Sequence, residues 1–187
     1  GIIYIRRKTK KKKKTIFLHI LKEGASNSFA WRYLGLALTR LGEFEAAEEA
    51  LNETILLDIE NTESWAYMTM FCIEVGRKRQ AYECLNEILK MNYSNIEVIS
   101  EIAQMFHHSG DFEIAADLYK RIINIEPKFM EAHFRLADIY YLKYENKKEE
   151  AIAILKNALN YATDEKEKNS ILQLIEMNEK QMEYRNN

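Results

Sequence analysis

Proline is almost missing from this chain, with one in 187 residues, and glycine is scarce at six. Both residues break helices, so their rarity predicts long helices with few interruptions. No apolar run approaches the ~18 residues that a bilayer-spanning helix requires. The opening GIIYIRRK is apolar for five residues and then basic, too short for a signal-peptide core, and no small-residue cleavage site follows. It begins on Gly1, as a fragment of a longer protein would. The two cysteines, Cys72 and Cys84, are too few for a disulfide framework and suit a reducing compartment, a cytoplasmic one.

Signatures of chemistry are missing as well. There is no glycine-rich phosphate loop. Cys72 and Cys84 have no histidine beside them at metal-ligand spacing. Adjacent His107 and His108 would point about 100° apart on a helix and chelate poorly together. No Ser, His and Asp stand in a recognisable nucleophilic arrangement, and acidic pairs such as Glu48/Glu49 read as solvated faces. The expectation is a chain with no catalytic residue, no cofactor and no metal.

What the chain has is charge, unevenly spread. The net charge is −2. Residues 6–14, RRKTKKKKK, carry eight positive charges, which leaves 19 basic against 29 acidic residues elsewhere, a net of −10. Residues 1–14 therefore read as a basic, solvated tail. The same block has the charge to contact a polyanion such as an acidic protein tail, RNA or a membrane surface. No aromatic residue interleaves with the lysines, and the body is acidic, so nucleic-acid binding ranks last.

The chain also has a period. Ile16, Phe17, Ile20 and Leu21 share one helical face, and Gly24 follows as a C-cap, so 13–27 reads as half a repeat. Four blocks then align on Trp31 and Trp65: 28–61, 62–95, 96–129 and 130–165. Their fourth positions are Trp31, Trp65, Ile99 and His133. Their eighth, where helices must approach closely, are Gly35, Thr69, Ala103 and Ala137. Gly42, Gly76 and Gly110 occupy the turn between two helices, where positive φ is cheap for glycine. Ala47, Ala81 and Ala115 recur on the second helix. The fourth block fits only with two residues inserted near Tyr144–Lys148. A charged helix with an apolar stripe follows at 164–182, expected to cap the array, and 183–187 reads as a tail.

A 34-residue period with this content resembles the tetratricopeptide repeat (TPR) family, over residues 13–182. Pro127 matches that family's closing proline, whereas Ile59, Tyr93 and Thr163 depart from it. The resemblance implies an all-α fold, a right-handed α-solenoid of antiparallel helix pairs with a C-terminal capping helix. It also implies that first helices line a concave groove. The groove candidates are then Phe29, Arg32, Leu36 and Arg40; Glu63, Met70 and Ile73; Glu97, Gln104 and His108; and Phe134, Asp138 and Tyr141. Such a surface, basic at one end, acidic in the middle and aromatic at the other, suits a protein partner that presents a helix or extended peptide with apolar and basic residues.

Family members that hold the C-terminal carboxylate of Hsp70 or Hsp90 use a cationic clamp. Its positions here hold Arg32, Leu36, Tyr67, Glu97 and Glu101, or, one block on, Ala66, Met70, Glu101, Glu131 and Arg135. Both sets place carboxylates where a carboxylate would bind, so that partner is not expected. Three settings remain for the array: a non-catalytic scaffold or adaptor, a regulatory module of a larger enzyme, or a bacterial envelope or secretion adaptor.

Residues 28–106 carry a more particular resemblance. SWAYMTMFCIEVGRKRQAYECLNEILKM followed by IEVISEIAQMF, with AWRYLGLALTRLGEFEAAEEALNET before it, is similar to the C-terminal repeat region of a cilia- and flagella-associated protein of the axonemal central apparatus. The chain runs on further than that region. The resemblance implies a structural part in a cilium or flagellum with microtubule-associated partners, where residues 6–14 would meet acidic tubulin tails.

Overall fold

The computed structural model describes Thr15, His19 and residues 28–186. The basic tail at 1–14 lies outside the described residues, as does the half repeat at 13–27 apart from Thr15 and His19, both helical and exposed. Among the described residues there are nine α-helices, one 3-10 turn and no strand. They fall into two compact units, residues 1–93 and 94–187.

The first unit contains α1 (Ser28–Thr39), α2 (Phe44–Leu57), α3 (Thr62–Glu74) and α4 (Lys78–Lys90). Helix α1 packs on α2 and α3 on α4, while α3 also contacts α1 and α2. Each hairpin is closed by the same device. Gly42 has φ 79° and Gly76 φ 76°, and the amides beyond them reach back across the turn. Glu43 N–H donates to Leu38 O at 3.0 Å and Arg77 N–H to Cys72 O at 2.8 Å. This six-residue loop-back satisfies carbonyls that the helix end would leave unpaired. Asn61 opens α3, its side chain accepting from Ser64 N–H at 3.3 Å. The end of α4 uses a non-glycine variant: Asn92 takes φ 52°, and Tyr93 N–H returns to Ile88 O at 3.3 Å. Asparagine visits this left-handed region more readily than other L-residues.

Helices α1 and α2 approach closely because Gly35 lets them. A Cβ built there would lie 2.6 Å from Leu51 Cγ, well inside contact distance. Leu51 and Ala47 are fully buried against it. In the second hairpin Phe71, Cys72, Ala81 and Ile88 fill the interior. Each large apolar side chain so buried contributes about 1.5–3 kcal/mol.

The second unit contains α5 (Ile96–His108), α6 (Phe112–Ile125), α7 (Met130–Lys143), a 3-10 turn at Glu145–Lys147, α8 (Lys148–Ala158) and α9 (Glu165–Asn186). Each helix packs on the next in the chain. Gly110, at φ 87°, turns α5 into α6, with Asp111 N–H on Phe106 O at 2.9 Å. No glycine turns α7 into α8; the 3-10 turn does it. Helices α2, α4 and α6 begin sixteen residues after the helices that precede them, and α8 begins eighteen after α7. Helix α9 opens on a reciprocal cap. Asp164 accepts from Glu167 N–H at 2.7 Å, and the Glu167 carboxylate accepts from Thr163 N–H at 2.8 Å. Ile171 and Ile175 form its buried stripe. The helix runs on to Asn186, so 183–186 is helical, not the tail expected from 183. The segment EYRN contains nothing that stops a helix.

Candidate functional site

In the first unit, α1 and α3 place a polar and aromatic cluster on one face. Phe29, Arg32, Tyr33 and Leu36 are spaced at i, i+3, i+4 and i+7, one side of a helix. Arg32 is buried at 7 % exposure. Its Nη1 donates to Asn61 Oδ1 at 3.1 Å and to the Glu63 carboxylate, and its guanidinium carbon stands 5.8 Å from the Phe29 ring centroid. Its Nε is buried with no hydrogen-bond partner. Asn61 thus caps α3 and anchors Arg32 with the same oxygen. The rings continue the row: Phe29 to Tyr33 at 4.5 Å and Tyr33 to Tyr67 at 5.9 Å between centroids. Burial, and then a hydrogen bond with Tyr33, push the Tyr67 hydroxyl pKa well above the ordinary tyrosine value. The Tyr67 phenol therefore stays neutral at physiological pH.

The remaining expected residues of this face lie at different depths. Phe29 is half exposed at 51 % and Met70 is buried at 3 %. Leu36, Glu63 and Ile73 are half-buried and Arg40 is exposed. A cleft of about 600 Å³ lies elsewhere on this unit, lined by Trp31, Leu34, Leu38 and Ala50 with Glu49 and Glu53; its apolar walls are packing residues.

In the second unit the face is polar. Gln104 Nε2 of α5 donates to Glu131 Oε1 of α7 at 3.1 Å. The same oxygen accepts from Arg135 Nε and Nη2 at 3.4 Å. Glu97, His108 and Asp138 are exposed, while Phe134 is half-buried. His107 and His108 stack at 5.9 Å, and His107 meets the Phe112 ring edge at 5.4 Å. Burial first, then repulsion from His108, Arg135 and Lys143, holds the His107 pKa below its usual value. Tyr141 is committed to α9: its hydroxyl donates to Asn178 O at 3.0 Å, with Gln181 Oε1 3.3 Å away.

The aromatic row is the feature that sequence reasoning missed. Tyr33 is not among the thirteen groove candidates, and Tyr67 enters only as a clamp position. The signal was present, since the sixth positions of the first two blocks are both tyrosine. Among the described residues no group of three His, Cys, Asp or Glu side chains could hold a metal ion. Also among them, no helix is long and apolar enough to cross a membrane.

The model of the cilia and flagella-associated protein 70 C-terminal domain matches residues 1–174. No curated protein matches the chain. Solved structures do. PilF of Pseudomonas aeruginosa is 16 % identical, with 95 % of this chain and 88 % of that one covered and a TM-score of 0.64. MamA is 20 % identical over 83 % and 86 %, with a TM-score of 0.61. YrrB, described as a TPR protein with an unusual peptide-binding site, is 13 % identical over 89 % and 84 %, with a TM-score of 0.57. At these identities the likeness shows the fold, that of the TPR solenoids.

Proposed function

Because the chain belongs to the family of the cilia and flagella-associated protein 70 C-terminal domain, we propose that it is a non-catalytic structural scaffold of a cilium or flagellum. TPR proteins are interaction scaffolds that hold peptide or protein partners. The setting in the cilium is supported by the family model alone. The site we propose is the face of α1 and α3 in the first unit, and the polar face of α5 and α7 would be a separate contact.

The observation that carries the site is the Phe29–Tyr33–Tyr67 row beside the Arg32–Glu63 pair. Aromatic rings ordered before binding offer large contact area at small conformational cost. Phe29 and Leu36 supply apolar surface on α1, and Glu63 and Glu74 on α3 supply carboxylates for a basic residue. The partner segment this fits is a helix or extended peptide carrying apolar and basic side chains. Arg32 and Met70, both buried, support the face from beneath.

The test is capture from ciliary extract with wild type, Phe29→Ala/Leu36→Ala and Phe134→Ala, with circular dichroism confirming that each variant folds. The reading expects a partner lost with the Phe29/Leu36 variant, by at least about tenfold in affinity as for a central interface pair. A partner retained equally by all three would overturn the first-helix face as the site.

A further inference from the structure

Four lysine side chains of the second unit lie against aromatic rings around the junction of α7 and α8. Lys147 Nζ is 4.4 Å from the Tyr140 centroid and 4.9 Å from that of Tyr144, and these two rings stand at 84° to each other. Lys120, reaching from α6, places its Nζ 5.5 Å from the same Tyr140 ring. Lys143 Nζ is 4.6 Å from the Phe112 centroid, and Lys148 Nζ is 5.6 Å from Tyr141.

Two of the four have a carboxylate: Lys148 pairs with Glu145 at 2.5 Å and Lys120 with Asp117 at 3.1 Å. Lys143 and Lys147 form no ion pair with any described carboxylate. A ring face attracts an ammonium through its quadrupole but leaves the charge in place. It also fixes the side chain, so an incoming anion pays less to order it. The unit therefore holds two pre-ordered, uncompensated cations with a third beside them on Tyr140, a ring that is itself 1 % exposed.

The rings also decide the shape of the anion. Lys147 is pinned on Tyr140 and Tyr144, and Lys143 on Phe112. Each ammonium is held on rings of its own. Carboxylates spaced along a chain meet them where they stand. We propose that Lys143 and Lys147, with Lys120 beside them, form a docking surface for an acidic peptide segment of a partner protein. Glu149 and Glu150, exposed in the first turn of α8, bound the surface by repelling the same ligand. These residues are separate from the aromatic face of the first unit, so either site can fail without the other.

The test uses the full chain with the basic residues between 6 and 14 changed to Gln, so that this block cannot bind the probe. The probe is a fluorescein-labelled peptide of five Glu-Gly repeats, followed by anisotropy at about 50 mM salt, where charge contacts are least screened. Lys143→Gln/Lys147→Gln is expected to weaken binding by about tenfold, the size of two partly exposed charge contacts. Lys143→Arg/Lys147→Arg keeps the charge and the ring contact and is expected to bind like wild type. Lys156→Gln/Lys180→Gln, which removes two exposed lysines elsewhere on the unit, is expected to leave binding unchanged. Failure of the unsubstituted surface to bind the peptide overturns the proposal, as does equal binding by the Gln pair or equal loss in the Arg pair. Displacement of the peptide by inorganic phosphate beyond the effect of ionic strength would identify a phosphate site instead, and would also overturn it.

Discussion

The indole N–H of Trp65 donates to the carbonyl of Ile59 at 2.8 Å. In the second unit the His133 ring does the equivalent, with Nε2 2.9 Å from the carbonyl of Pro127. Both donors are the fourth residue of a repeat, and both acceptors lie six residues earlier, in the linker. The ring thus ties the end of one hairpin to the start of the next. His133 must carry its proton on Nε2 to donate, which leaves Nδ1 as the buried atom without a partner. Trp65→Phe keeps most of the packing and removes the bond. It is expected to cost about 1 kcal/mol, read as a lower urea midpoint with an unchanged slope.

Gly35 and Leu51 form a steric pair. Gly35→Ala would bring a Cβ within 2.6 Å of Leu51 Cγ, and overpacking of this kind costs about 1–3 kcal/mol. Against that stands the better helix propensity of alanine, worth up to about 1 kcal/mol. In a Leu51→Ala background the clash is gone and only the gain remains. Gly35→Ala is expected to destabilise the wild type and to be neutral or stabilising in that background. Equal costs in both backgrounds, measured by a double-mutant cycle, would show that close approach is not the reason for glycine.

His107 gives a pH dependence with a definite sign. Its folded pKa is held below the unfolded value, first by burial and then by neighbouring positive charge. The unfolded chain therefore binds the proton more readily, and stability falls as pH drops below the usual histidine pKa of about 6.5. It levels off below the folded pKa. His107→Gln is expected to flatten the stability curve between about pH 5 and 7 relative to wild type. Denaturant midpoints across that range measure it, and parallel curves would refute it.

Tyr141 holds the last helix through one bond, from its hydroxyl to Asn178 O. Tyr141→Phe removes it while keeping the ring. A loss of about 1 kcal/mol corresponds to roughly fivefold faster local opening. Amide exchange along α9 should quicken by that factor while α5 and α6 keep their protection. Unchanged exchange in α9 would mean that the Tyr141 bond does not hold the helix.

Some of this was legible because it depends on local geometry. A glycine at three of the four hairpin turns announces a left-handed residue, and Gly42, Gly76 and Gly110 all take one. Apolar spacing announces helices and their buried faces. Asn92 escaped notice because asparagine is permitted in many conformations, and only the packing of Tyr93, 8 % exposed, shows why the chain turns there. Arg32 and Met70 were expected to face a partner, yet both are buried. Helical spacing gives the direction of a side chain and says nothing of what the neighbouring helix lays over it.

The amino-acid sequence alone determined that this protein is all-α, repeated and of the TPR family, because periodic apolar faces and turn glycines recur along the chain and need no knowledge of distant contacts. The tertiary structure decided which of the outward positions are buried and which exposed. Phe29, Tyr33 and Tyr67 became one aromatic row because α1 and α3 lie side by side. Lys143 and Lys147 became uncompensated cations because the rings that hold them, and the carboxylates that do not, come from separate turns of α6, α7 and the 3-10 segment. Charge and exposure are properties of neighbourhoods, and neighbourhoods exist only once the helices have packed.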